Sequence, residues 1–226
     1  MSDGAPMADE QATVATDGRT IGARALATRR RLLDATRGLL ARDGVLSLRL
    51  VDVTREIGSS PASFYQYFTD IDDALLVLSD EVEESTEELA ARLDTPWSTV
   101  EDYVYALGFV GAYVAYWEEH GAVLRARNLK AEEGDARFRA KRSKAQLTIM
   151  DVMGPMVVDS IENGRLSDEI DPVAAAAAML AMLERLTSYR RELEERGSDA
   201  EAMNITLARI LFRTVSGVNP PDKSSA

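Results

Sequence analysis

Apolar residues recur three and four positions apart along most of the chain, and no stretch alternates apolar with polar over a strand's length. That spacing predicts an all-α protein of about nine helices. Leu32, Leu33, Ala35, Thr36, Leu39 and Leu40 form the inward face of a first helix over 25–43, which Gly44 closes. A short second helix runs from Arg49 or Leu50 to Ile57, and a third covers 61–67. A long fourth begins near Asp70, whose carboxylate suits a helix N-terminus. Its apolar face continues through Ile71, Leu75, Leu78, Val82, Leu89 and Leu93 to Pro96. A fifth helix starts at Ser98 or Thr99 and ends at His120 and Gly121. A sixth spans 123–132, and Gly134 and Asp135 stop it. The seventh covers 136–163, with a kink expected at Gly154 and Pro155. After a polar loop the eighth runs from Asp171 and Pro172 to about Glu195, and the ninth over 200–216.

The turn between the second and third helices carries the most specific chemistry. Gly58 suits the left-handed conformation that ends a helix. Ser60 is a good N-cap, and Pro61 fits the first helical position, where an N–H has no intrahelical partner. Phe64 and Phe68, four apart, share a face and anchor the third helix to a core. Ala62 and Ser63 are small enough for close approach to another surface. The Gln66 amide offers a donor beside an acceptor, the pairing that reads an adenine edge. Tyr65 and Tyr67 carry hydroxyls suited to phosphate oxygens. Two helices so joined form a helix-turn-helix whose second helix reads DNA. The candidate contacts are Arg49, Ser60, Pro61, Ala62, Ser63, Tyr65, Gln66 and Tyr67.

The run Val53-Thr54, Ile57-Gly58-Ser59-Ser60 and Phe64-Tyr65-Gln66-Tyr67-Phe68 resembles the N-terminal motif of the tetracycline-repressor (TetR) family. The resemblance covers roughly residues 28–80. Thr54 and Ile57 stand where the family has two alanines. Ile71 stands where it usually has a lysine that contacts phosphate. The resemblance implies a three-helix head on a helical body, a small-molecule effector held between the body's helices, and a homodimer.

Charge fits that division. The chain carries a net charge of −12, yet nine arginines and only four carboxylates lie between Arg19 and Glu56. A basic head on an acidic body is expected if only the head meets nucleic acid, although an arginine cluster also makes a solvated helix face. There is no cysteine, which suits a reducing cytoplasm, and no apolar run is long enough to cross a membrane. The polar, acidic start lacks the pattern of a secretory signal and reads as disordered. The expected organisation is a disordered tail over 1–24, a DNA-binding head over 25–72, an effector-binding and dimerisation body over 73–219, and a mobile tail over 220–226.

In the body, Phe109, Tyr113 and Trp117 fall on one side of the fifth helix. Met150 and Met153 lie on the seventh, and Met179 and Met182 on the eighth. Methionines and aromatics of this kind line an adaptable apolar cavity, or simply fill a core. Asn128, Thr148 and Glu184 are polar groups that could orient a lipophilic effector. His120, the only histidine, follows two glutamates at an expected helix C-terminus and reads as a capping cation. Glu83, Glu84, Glu87 and Glu88 read as a solvated face. No catalytic residue, metal ligand set or cofactor motif emerges. Five alanines over 174–178 followed by Leu180, Leu183 and Leu186, with Ile205, Leu207, Ala208, Leu211, Phe212 and Val215, predict a dimer seam through the eighth and ninth helices. The reading is a homodimeric repressor released from a pseudo-palindromic operator on double-stranded DNA by a lipophilic effector. The competing classes are a helical carrier or enzyme with a relict head, and a dimeric adaptor.

Overall fold

The computed structural model describes residues 22–222, so most of both expected tails lies outside the described residues. Nine α-helices follow in order, and among the described residues there is no strand. They are α1 (Ala23–Asp43), α2 (Leu50–Glu56), α3 (Pro61–Phe64), α4 (Ile71–Ala91), α5 (Tyr103–Glu132), α6 (Ala136–Glu162), α7 (Pro172–Ser188), α8 (Arg190–Glu195) and α9 (Ala200–Ser216). The number matches the expectation, but the chain reaches it by a different division.

The head forms as its punctuation dictates. Gly58 takes φ +66° after α2, Ser60 Oγ accepts from the Ser63 N–H at 3.2 Å, and Pro61 opens α3. Leu32, Leu33, Leu39 and Leu40 of α1, Val53 of α2, and Phe64 and Phe68 are buried against Leu75 and Leu78 of α4. The α-helix of α3 stops at Phe64, three residues sooner than expected. The chain tightens there, with both Tyr67 N–H (2.9 Å) and Phe68 N–H (3.1 Å) donating to the Phe64 carbonyl. That tightening returns Phe68 to the core, where its ring centroid lies 5.2 Å from that of Phe64.

The largest departure is α5. No helix end occurs at His120 and Gly121; one helix of 30 residues replaces the expected fifth and sixth. Gly in a helix interior costs about 1 kcal/mol relative to Ala. Packing on both sides outweighs it, since Trp117, Val123, Leu124 and Ala126 are all buried. Gly121 also sits in a tight place: a Cβ there would meet the Arg125 guanidinium at 3.1 Å. Conversely, the expected eighth helix divides into α7 and α8 at Tyr189. α6 remains helical through Pro155. The missing N–H of Pro155 leaves the Asp151 carbonyl unbonded within the helix, and both residues are exposed, so solvent reaches it.

α5 is the central post and touches α1, α4, α6, α7 and α9. The residues expected in a dimer seam belong largely to the core of the single chain. Leu180, Leu183, Leu207, Ala208, Leu211, Phe212 and Val215 are all buried without a partner copy, because α7 and α9 turn these faces toward α5 and α6. The outward stripes of the same helices are smaller: Val173, Ala174, Ala178 and Ala181 on α7, and Thr206 and Ile210 on α9. Among the described residues, no helix is long and apolar enough to cross a membrane.

Candidate functional site

Two regions of the molecule carry the expected chemistry. On the head, Arg49, Ser60, Pro61, Ala62, Tyr65 and Gln66 are exposed, while Ser63 is half-buried. Tyr67 packs against the core. Arg49 occupies the N-cap position of α2 and makes no capping bond.

The arginines divide into two groups. Arg30 and Arg37 pair with Glu81 of α4, Arg42 with Asp43 and Glu56, and Arg55 with Asp52. Among the described residues, Arg24, Arg29, Arg31 and Arg49 have no carboxylate within 4 Å. Arg29 lies over the Phe68 ring at 5.2 Å. Arg31 donates to the Ile57 carbonyl at 2.9 Å. Both therefore flank the turn and α3, and they join Arg49 as phosphate candidates. Single-residue charge counting missed them because it could not say which arginines were already paired. The start of α4 is acidic. Asp70 caps it, accepting from Asp73 N–H at 2.7 Å. Asp73 in turn accepts from Thr69 N–H at 2.9 Å, and Asp72 pairs with Lys130 at 3.0 Å. Ile71 packs against the core.

The second region is a cavity in the body of 20 Å³, lined by Thr86, Tyr113, Tyr116, Trp117, Leu124, Arg127, Ala145, Gln146, Ile149, Leu180 and Glu184. Of the nine expected lining residues, it gathers Tyr113, Trp117 and Glu184. Asn128 lies beside it and bonds Glu184. Phe109 and Met153 are buried elsewhere in the core, and Met150, Met179 and Met182 pack against that core without lining the cavity. Thr148 is satisfied by its own helix, donating to the Lys144 carbonyl at 3.0 Å.

Thr86, Tyr116, Arg127 and Gln146 complete the site. Thr86 comes from α4 and Gln146 from α6, and the continuous α5 brings in the other two: with no break at Gly121, positions 113, 117, 124 and 128 share a face, and 116, 120 and 127 flank it. The walls are more polar than the methionine pattern suggested. Asn128 Nδ2 donates to Glu184 Oε1 at 2.7 Å, and Arg127 Nε donates to Asn128 Oδ1 at 3.2 Å. Thr86 Oγ1 and the Tyr116 hydroxyl lie 3.0 Å apart, joining α4 to α5. Burial pushes the Tyr113, Tyr116 and Glu184 pKa values up, and Arg127 opposes the shift in each.

Trp117 and Glu184 also border an open groove of about 1140 Å³ between α1, α5, α7 and α8, lined by Arg37, Arg125 and Arg190 as well as by Glu118, Glu119 and Glu132. His120 is not a C-terminal cap. It lies mid-helix, its ring edge-to-face with Tyr116 at 5.3 Å. Burial lowers its pKa; Glu119 opposes this and Arg37 reinforces it. Glu83 is no solvated carboxylate either, since Lys141 (3.2 Å) and Lys144 (2.5 Å) of α6 pair with it. Among the described residues, no cluster of His, Cys, Asp and Glu is suited to a metal ion.

Comparison with known proteins places this arrangement. Residues 87–222 match the family model described as tetracyclin repressor-like, C-terminal domain. No curated protein matches in sequence. Among solved structures, a bacterial regulatory protein of the TetR family from Rhodococcus RHA1 superposes with a TM-score of 0.69 at 16% identity, over 88% of this chain and all (100%) of that one. The fatty acid degradation regulator FadR from Bacillus halodurans gives 0.62 at 13% identity, over 86% of this chain and 97% of that one. A putative transcriptional regulator from Saccharomonospora viridis, in complex with choline, gives 0.61 at 20% identity, over 80% and 94%.

Proposed function

The chain belongs to the tetracycline-repressor-like family of transcriptional regulators, and from that membership we propose that it is a homodimeric repressor whose body senses a small molecule. One observation carries the reading. The body cavity is bounded by α4 and α5, the two helices on which α1 of the head rests. A molecule that enlarges the cavity separates those supports and shifts the head. Coupling free energies of this kind are typically about 1–3 kcal/mol. That the similar fold from Saccharomonospora viridis holds choline supports a body able to hold a small molecule.

The head over 25–72 docks α3 in the major groove. Gln66 reads a base edge, while Arg29, Arg31, Arg49 and Tyr65 bind phosphates. The body over 73–219 dimerises through the outward stripes of α7 and α9, where alanines let two helices approach closely. Two heads then read two half-sites of an operator. A regulator of DNA works in the cytoplasm, and the proposal requires no cofactor.

The test is fluorescence anisotropy on DNA from upstream of the chain's own gene, titrated with salt. Affinity that falls steeply with salt through counterion release supports the reading, and salt-insensitive binding contradicts it. A second reading, a helical carrier with a relict head, draws on the three aspartates crowding the start of α4. It predicts no sequence-selective footprint at any salt concentration.

A further inference from the structure

We infer that the body cavity takes a small organic acid whose carboxylate binds Arg127. The inference rests on the effector-sensing reading and names the class of molecule. Arg127 stands in the C-terminal part of α5 and is only 6% exposed. A guanidinium buried without a counter-charge is costly, so its retention calls for an explanation. Among the described residues, no carboxylate lies within 4 Å of it. The carboxylate that shares the cavity, Glu184, is bonded instead to Asn128 Nδ2 at 2.7 Å, and Asn128 Oδ1 takes the Arg127 Nε bond at 3.2 Å. Asn128 therefore stands between the two charges and satisfies one edge of each. The rest of the guanidinium bears on the Tyr116 hydroxyl, a neutral partner, and meets no carboxylate among the described residues.

The surroundings favour an anion. Burial raises the Glu184 pKa; Arg127, Arg142 and Arg185 oppose that rise, and Glu132 adds to it more weakly. Tyr113 and Gln146 offer donors along the remaining wall, and Trp117 offers a flat apolar flank. A planar carboxylate matches a guanidinium through two parallel hydrogen bonds, which no neutral or cationic group reproduces. The organic part then lies against Tyr113 and Trp117. At 20 Å³ the cavity has room for about one water, so an acid enters only by parting α5 from α4 and α6. That motion is the one release from DNA requires.

The test uses the full chain and three matched series: benzoate and hexanoate, their amides, and the corresponding amines. Calorimetry and thermal shift should show at least one acid binding about tenfold or more tighter than its amide and amine, as a charge-assisted bidentate contact implies. Arg127→Met should abolish that preference. Without any ligand, Arg127→Met should also raise Tm by about 2–4 °C for each kcal/mol of buried charge relieved. Amines binding best would make Glu184 the anchor, and amides matching acids would make the site neutral. Either result overturns the acid while leaving effector sensing intact. Silence from all three series at about 10 mM, with Arg127→Met lowering Tm, would show a structural cation and remove the cavity as a ligand site.

Discussion

Thr86 and Tyr116 join α4 to α5 inside the cavity, and the two ends of that bond are not equivalent. The hydroxyls lie 3.0 Å apart, and Thr86 Oγ1 also donates to the Val82 carbonyl at 3.1 Å. Tyr116→Phe therefore leaves Thr86 with a partner and costs about 0.5–1.5 kcal/mol for that bond, together with the contact of Arg127 to the same hydroxyl, which is lost equally in the double variant. Thr86→Val instead strips the α4 partner from a half-buried Tyr116 hydroxyl, a loss of up to about 1–3 kcal/mol. The adjoining 20 Å³ cavity admits about one water, which brings that cost toward about 1–2 kcal/mol. In the double variant no hydroxyl is orphaned. Its cost should fall short of the sum of the singles by about 1 kcal/mol, the signature of direct coupling. Denaturant unfolding at fixed protomer concentration measures the cycle, because a dimer's stability depends on concentration. Additivity within about 0.3 kcal/mol would refute the bond as a tie between α4 and α5.

Other substitutions test the remaining parts of the argument. Leu211 is 0% exposed within one chain, so Leu211→Asp should yield no soluble folded protein, at a cost of several kcal/mol. Ala178→Asp or Ile210→Asp should give folded monomer by sedimentation, and a stable dimer from both would move the interface elsewhere. Arg31→Ala and Arg49→Ala should each weaken all DNA alike and reduce the salt slope by about 1, whereas Gln66→Ala should relax sequence preference by roughly 1–3 kcal/mol. Footprints that do not change would exclude α3 from the interface. His120 should make stability depend on pH. Its folded pKa is lowered from 6.5, so the unfolded chain takes up the proton first, and stability falls as pH drops from 6.5 through the depressed value. His120→Gln should flatten that segment of a Tm–pH profile. Glu184, whose raised pKa acts with the opposite sign, is present in both proteins and cancels in the difference.

The head was legible because its signals are local. Gly58, Ser60 and Pro61 fix a turn whatever surrounds them, and Phe64 and Phe68 fix which face is buried. The body was less legible because its answers depend on tertiary packing. Gly121 carries a helix-ending signal of about 1 kcal/mol, and buried neighbours on both sides outweigh it. Once that break disappears, the phase of α5 carries through, and Arg127 falls in the cavity wall. The methionines misled for a related reason. Met153 is apolar and helical in spacing, which places it in a core without saying whether the core contains a hole there. Leu211 and Phe212 gave a true apolar face but not its partner, since a face that packs on α5 and one that packs on a second copy share the same periodicity.

The continuity of α5 also shortens the route from cavity to head. At about 1.5 Å per residue, Tyr116 and His120 are one turn apart, about 6 Å along the helix. Tyr116 lines the cavity and contacts the His120 ring, and His120 lies under the electrostatic influence of Arg37 on α1. Arg37 and Arg30 in turn hold Glu81 of α4 at 2.5 and 3.1 Å. α1 is therefore held from two sides, by α4 through Glu81 and by the middle of α5. A molecule that parts α4 from α5 cannot leave both attachments unchanged. Were α5 two helices with a joint at Gly121, that joint would absorb the displacement before it reached α1. As one continuous helix it has no such joint, and the proposed displacement would pass to α1.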